Sequence, residues 1–319
     1  MQVKKLRANL LLLLTAMIWG AAFVAQSVSM DYIGPFTFLC ARSLLGGVVL
    51  LPVIAWMRRK NVAPAEPETP SDVPGTNAKR HGNRLLLAGG VACGMALFIA
   101  SAFQQIGIQE TTAGKAGFIT AMYMVFVPIF GLFLGRRPGG RVWLAVAAAL
   151  VGMYLLCFGS GGLGAMNRGD LMEMLCALGF TVHILIIDHF SGRVDGVRMS
   201  CIQFFVCGIL AFFGMIIFES PNPRDILEAW IPIVYAGVLS SGVGYTLQIL
   251  AQKDTAPTVA SLLMSLESVF SLVFGWILLG EGMSVRELIG CVLMFAAIVW
   301  VQLPEGRKAE KTAGRRTAG

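Results

Sequence analysis

The chain has 319 residues, of which 56% are hydrophobic and 13% charged, with a formal net charge of +7 at pH 7. Soluble domains carry about 25% charged residues, so this chain lacks the polar surface to hide its apolar residues from water and reads as an integral membrane protein. The basic excess does not point to nucleic acid, because the Lys and Arg residues cluster between apolar runs instead of forming one face.

Ten apolar spans follow one another, approximately 8–28, 34–57, 84–106, 112–134, 141–158, 169–189, 198–218, 230–251, 256–279 and 286–303. Each is long enough for a tilted transmembrane helix, since 20 residues rise about 30 Å. None alternates with period two over ten residues, which argues against a β-barrel. The first span resembles a signal peptide at its start, but its apolar run continues to Val28, longer than a usual signal core, so it is read as uncleaved. Trp19 lies too deep in it for an interfacial belt.

Arg42 in the second span sits about a third of the way in. It could bind an anionic substrate group, snorkel, or bond to carbonyls. Residues 61–83 carry four prolines and almost no large apolar side chain, so a disordered cytoplasmic linker is expected. Ser101 and Gln104 share a helical face in the third span, as do Tyr245 and Gln248 in the eighth. They could line a cavity or simply bond between helices. His183 is central in the sixth span. For a lone His or Trp the alternatives are a functional site and plain packing. The glycine pairs Gly90-x-x-x-Gly94 and Gly131-x-x-x-Gly135 read as seams for close helix packing.

The ninth span, APTVASLLMSLESVFSLVFGWILLGEG, is broken by one carboxylate, Glu267. A charge at mid-span is expensive in lipid and must face protein or a wet cavity. Glu267 could bind a substrate amine, carry a coupling proton, or tie two helices together. The tail from residue 304 is basic and polar, suited to lie near an anionic leaflet.

The ninth span has a twin 144 residues earlier. Thr111/Thr255, Ala116/Ala260, Val125/Val269, Phe126/Phe270, Phe130/Phe274, Gly131/Gly275 and Leu134/Leu278 are identical, and Gly135/Gly280 and Arg141/Arg286 follow with a one-residue slip. Gln104 falls on Gln248, and Tyr123 falls on Glu267. The chain is therefore read as an internal repeat, residues 1–158 and 159–303, with a tail 304–319. With the N-terminus inside, 20 Lys and Arg fall on the inner side and four, Lys115, Arg168, Arg224 and Arg286, on the outer. Both termini are expected to be cytoplasmic. Five spans per repeat is an odd number, so the second copy enters from the opposite side. Inverted repeats of this kind characterise secondary transporters with a site near the midplane.

The seven cysteines are scattered through apolar spans with no CxxC or Cys/His cluster and read as small hydrophobic residues. TTAGKAG resembles half a phosphate-binding loop, but the spacing fails and no strand precedes it; no HExxH or GxSxG occurs. No enzyme, cofactor or metal site is expected.

The strings AMIWGAAFVAQ, PFTFLCARSLLGG, AGVLSSGVGYTLQILAQKDTAPTVASLL and SLESVFSLVFGWILLGE together resemble the EamA-type transporters of the drug/metabolite transporter superfamily. The resemblance covers nearly the whole chain. It implies an all-α polytopic membrane protein, ten transmembrane helices as two inverted five-helix repeats around a central cavity, sited in the cytoplasmic membrane. It also implies alternating-access movement of a small metabolite, amino-acid-like compound or drug, often as an exporter. The family usually has proline after the glutamate of the ninth span; Ser268 stands there, with Met124 at the matched place in the fourth. A proline would remove a backbone hydrogen bond and kink the helix, so a kink at this point loses its usual cause.

The expected function is a secondary transporter whose partners are a small-molecule substrate, membrane lipid and, as a candidate, a coupling proton, with no nucleic acid. Its substrate cavity is expected to take in Trp19, Arg42, Ser101, Gln104, Tyr123, His183, Tyr245, Gln248 and Glu267. The alternative is a non-transporting membrane scaffold or sensor acting through the linker and tail.

Overall fold

The computed structural model describes residues 2–59, 76–157, 167–280 and 284–302, and among these there are helices and no strands. The helices are α1 (Gln2–Ser29), α2 (Pro35–Arg59), α3 (Thr76–Gly107), α4 (Ala113–Thr120), α5 (Tyr123–Phe133), α6 (Gly140–Cys157), α7 (Arg168–Ser191) and α8 (Gly196–Phe218). The short α9 (Pro223–Glu228) and α10 (Trp230–Val234) lead into a π-helical segment, Tyr235–Tyr245. They are followed by α11 (Thr246–Gln252), α12 (Pro257–Met264), α13 (Glu267–Leu279) and α14 (Val285–Gln302). Eight stretches are long and apolar enough to cross a bilayer, and two shorter apolar helices, Gly140–Gly152 and Leu288–Trp300, occupy the fifth and tenth expected spans. Large apolar side chains such as Phe133, Ile217, Phe218 and Leu144 face outward, as lipid contact requires.

The expected linker 61–83 is shorter at its far end. The proline-rich part lies outside the described residues, but α3 starts at Thr76, because no proline follows to stop a helix from projecting beyond the bilayer. The expected tail lies outside the described residues.

Two spans are broken at matched places. The fourth divides at Ala121 and Met122, and the ninth at Ser265 and Leu266, again 144 residues on. In both, bonds to the fourth carbonyl back give way to bonds to the third: Met122 N to Ile119 O, 3.1 Å, and Met124 N to Ala121 O, 3.0 Å; Leu266 N to Leu263 O, 3.3 Å, and Ser268 N to Ser265 O, 3.2 Å. The missing family proline is therefore not needed for a break. In the ninth span, serines take over carbonyls: Ser261, Ser265, Ser268 and Ser271 each donate to the carbonyl three residues back, at 2.8–2.9 Å. Such back-bonding competes with the helical ladder. In the fourth span Pro128 has no N–H to offer the carbonyl of Met124.

The π segment is a third irregularity, and α1 stabilises it. Trp19 Nε1 donates to Ser240 O (3.4 Å), Thr15 Oγ1 to Gly244 O (3.3 Å), and Tyr235 Oη to Ile18 O (3.0 Å). Inside a bilayer a loosened backbone group needs such a partner. At Gly20 a Cβ would lie 2.3 Å from Phe270 Cβ, so α1 and α13 touch nearly backbone to backbone. This gives the Trp-Gly pair of the first span two physical jobs.

The helices pack α2 on α8, α3 on α7 and α8, α6 on α14, α1 on α13 and on the π segment, α2 on the π segment, and α4 and α5 on α7. Gly90 and Gly94 form the expected seam, against Ile202 and Val206 of α8. Gly131-x-x-x-Gly135 does not: α5 has already ended, and Gly135 has φ +76°. Its repeat counterpart, Gly280, closes α13 with φ +68°. Only glycine adopts this left-handed conformation readily.

At the end of the bundle where α2 begins, Glu219 caps that helix. Its carboxylate accepts from Phe36 N (2.7 Å), Thr37 N (2.8 Å) and Thr37 Oγ1 (2.6 Å), and Gly34 leaves it room. Capping bonds of this kind are worth about 0.5–2 kcal/mol. Glu219→Ala is expected to lower the thermal melting midpoint of the detergent-purified protein, whereas Glu228→Ala, which removes only the exposed Arg224 pair, should leave it unchanged.

Candidate functional site

One cavity opens where the broken helices, the π segment and α1 converge, with about 400 Å³ of space unoccupied by protein atoms, including its mouth. From α1 it is lined by Trp19, Ala22, Phe23 and Gln26, from α2 by Arg42, and from α3 by Gln104. The fourth span supplies Thr120 and Tyr123 on either side of its break, and the ninth supplies Glu267 just after its own. Phe180 and Ile184 of α7, Ser240 and Tyr245 of the π segment and Gln248 of α11 complete the wall.

The centre of the site is a bond between repeat counterparts. Tyr123 Oη donates to Glu267 Oε1 at 2.7 Å, and both residues are buried. Arg42 is 3% exposed, so it does not snorkel. Its NH1 donates to Gln26 Oε1 at 3.3 Å, its guanidinium lies 5.7 Å from the Phe38 ring centroid, and among the described residues its Nε has no partner. Among the described residues neither Arg42 nor Glu267 is in an ion pair. The cavity thus holds a cation and a carboxyl group that are not paired with each other. Trp19 and Tyr245 supply an aromatic wall, their rings 4.5 Å apart at 50°.

Seven of the nine residues expected from the sequence line this cavity: Trp19, Arg42, Gln104, Tyr123, Tyr245, Gln248 and Glu267. Ser101 and His183 do not. Ser101 is fully buried on α3 outside the cavity wall. His183 precedes Ile184 by one position, a turn of about 100° around the helix. That aims it at α8, where its Nε2 lies 3.1 Å from Gln203 Oε1. Both are polar groups held between helices.

Gln26, Thr120 and Ser240 line the cavity without having been singled out, because a single hydroxyl or amide in an apolar run gives no periodic signal. A larger omission lies behind the wall. Asp170 and Glu173, one turn apart on α7, are both fully buried. They stand at the edge of an apolar span, where a count of Lys and Arg passes over acids; their i, i+3 spacing was the available signal. Asp170 pairs with Lys115 at 2.6 Å and closes a capping box with Asn167. Among the described residues no group of three or more His, Cys, Asp and Glu could hold a metal ion.

The sequence profile of the EamA-like transporter family matches residues 6–158 and 167–303. An uncharacterized transporter of Archaeoglobus fulgidus is 29% identical over 306 residues, covering 94% of this chain and 87% of its own. A Chlamydia muridarum protein named as an S-adenosylmethionine/S-adenosylhomocysteine transporter is 23% identical over 298 residues, covering 86% and 85%. A solved crystal structure superposes with a TM-score of 0.70 at 18% identity, covering 98% of this chain and 99% of that one, which is a likeness of fold.

The Tyr123–Glu267 bond sets an expectation for stability. Leaving a buried partner unsatisfied costs about 1–3 kcal/mol. Tyr123→Phe and Glu267→Leu should each lower the unfolding free energy, and the double variant should fall short of their sum. A double-mutant cycle by denaturant or thermal unfolding in detergent checks it; strict additivity would mean that the bond carries no energy.

Proposed function

The chain belongs to the EamA-like transporter family, and from that premise we propose that it carries a small zwitterionic or amphipathic metabolite across the cytoplasmic membrane by alternating access. The observation that carries this reading is the cavity itself, in which Arg42 and Glu267 present opposite chemistries with no ion-pair partner among the described residues. A carboxylate on the substrate would meet the Arg42 guanidinium. An amine would meet Glu267, and an apolar or aromatic portion would lie along Trp19, Phe180 and Tyr245. The relative named for S-adenosylmethionine supports an amino-acid-bearing substrate, without fixing which one.

The transport cycle rests on the repeat. The packing pairs come in sets that exchange the two halves: α1 on α13 answers α7 on the fourth span, and α3 on α7 answers the π segment on α1. The α2–α8 and α6–α14 pairs map onto themselves. This pattern supports two inverted five-helix halves rocking about a cavity near mid-depth, with the fifth and tenth spans as the short α6 and α14. The matched breaks next to Tyr123 and Glu267 are the points at which each half bends. The distribution of Lys and Arg supports cytoplasmic termini. On this reading the protein works as an exporter or permease and not as an enzyme.

Reconstitution in liposomes decides it. Radiolabelled S-adenosylmethionine and an amino-acid panel are expected to reveal at least one transported compound, with flux lost in Arg42→Gln and Glu267→Gln. Absence of flux for every compound, in protein shown to be folded, would count against a carrier. Deleting residues 61–75 and 305–319 separates the scaffold or sensor reading, since transport should survive both deletions.

A further inference from the structure

Glu173 is an intramembrane carboxyl group that does not line the cavity. It lies on α7 one turn from Asp170 and is fully buried. Lys115 is bound to Asp170 at 2.6 Å, and Thr111 donates to the other oxygen of Asp170 at 3.3 Å. Glu173 has no ion pair among the described residues. Among the described residues its Oε1 has no hydrogen-bond partner. It fits against α3 because position 107 is glycine: a Cβ there would lie 3.0 Å from Oε1.

The other oxygen, Oε2, accepts from the Thr120 hydroxyl at 2.8 Å. Thr120 is the last residue of α4, at the edge of the break, and it also lines the cavity. On the cavity side its oxygen accepts from Gln104 Nε2 at 3.3 Å. A single hydroxyl thus separates a walled-off carboxyl group from the space in which the substrate would sit.

Resting on the carrier reading, we infer that Glu173 is a proton-exchange site behind the cavity wall, loaded and unloaded through Thr120. Loading conserves atoms and charge. Thr120 passes its hydroxyl proton to Glu173 Oε2 as its oxygen takes a proton from a hydronium ion in the cavity, which is left as neutral water, and unloading reverses both transfers. No electrons move and no other reactant is needed. Glu267 faces the substrate and bonds to Tyr123, so its proton competes with ligand. Glu173 is shielded from the ligand and can hold a proton whether the cavity is full or empty. The break beside Thr120 lets a rocking half make or part the Thr120–Glu173 contact, which ties proton exchange to conformation.

The ionisable neighbours are few. On α7 they are Asp170 and Cys176, the latter 3.7 Å from the Thr120 hydroxyl. The fourth span brings Lys115, already paired, and Tyr123, bonded to Glu267 of α13. Arg42 of α2 lies in the cavity. At this level α3 offers the neutral Gln104, and α11 and α12 contain no ionisable side chain.

Infrared difference spectroscopy of the full-length protein in lipid nanodiscs, stepped in pH without any substrate, tests this. A carboxylic-acid C=O band that rises on acidification should vanish in Glu173→Gln, persist in Glu267→Gln, and shift in Thr120→Val, which keeps the carboxyl group but removes its donor. Should Glu173→Gln fail to fold, the shift in Thr120→Val decides. A band indifferent to both substitutions, a band that does not change with pH, or one that answers to sodium chloride at fixed pH overturns the proposal. In proteoliposomes that transport one of the panel compounds, Glu173→Gln should lose pH-gradient-driven uptake and keep exchange at equal pH. Uptake in Glu173→Gln that still follows the pH gradient overturns the proton site and leaves the carrier reading intact. Wild-type protein without flux but with the titrating band does the reverse.

Discussion

A carboxyl group placed in the hydrocarbon layer must be met by protein, and here it is met by the residue that its own repeat places opposite. Tyr123 and Glu267 are 144 positions apart and bond at 2.7 Å. The same offset relates the two helix breaks that flank them. The bond therefore joins the two halves at corresponding points, each where its helix is least regular. Around it the remaining polar groups of the cavity find their places.

Irregular backbone in a membrane has to be partnered from within, and this chain does so with side chains close to the breaks. Four serines in the ninth span bond to carbonyls three residues back. Trp19 and Thr15 reach carbonyls of the π segment. Tertiary bonds from α1 thus hold open a segment in which a regular helix would keep every carbonyl to itself. Irregular turns of this kind recur at functional sites, and all three border the same cavity.

Charge is distributed within that cavity so that opposite groups stay separate. Arg42 leans on Gln26 and the Phe38 ring, and Glu267 takes its bond from tyrosine. A direct pair would neutralise both and leave nothing for a ligand to satisfy. Asp170 and Lys115, by contrast, do pair, and they do so at the end of α7, next to its capping box. Charges are thus paired at the helix end and kept apart in the cavity.

The sequence by itself marked the membrane class, nearly every span and an internal identity between its halves, because apolar length and internal identity are one-dimensional properties that need no neighbour. It also marked Trp19, Arg42, Gln104, Tyr123, Tyr245, Gln248 and Glu267, since these are the charged, aromatic or repeat-matched side chains of their apolar runs. Tertiary structure alone decided which way each of them turned. His183 faces α8 because one position means about 100° of rotation, and Ser101 is buried one turn from Gln104, off the cavity wall. The break without proline, the π segment and the partners of Glu173 were equally out of reach. Each depends on which hydroxyl, carbonyl or cation arrives from a distant part of the chain, and sequence spacing carries no record of that arrival.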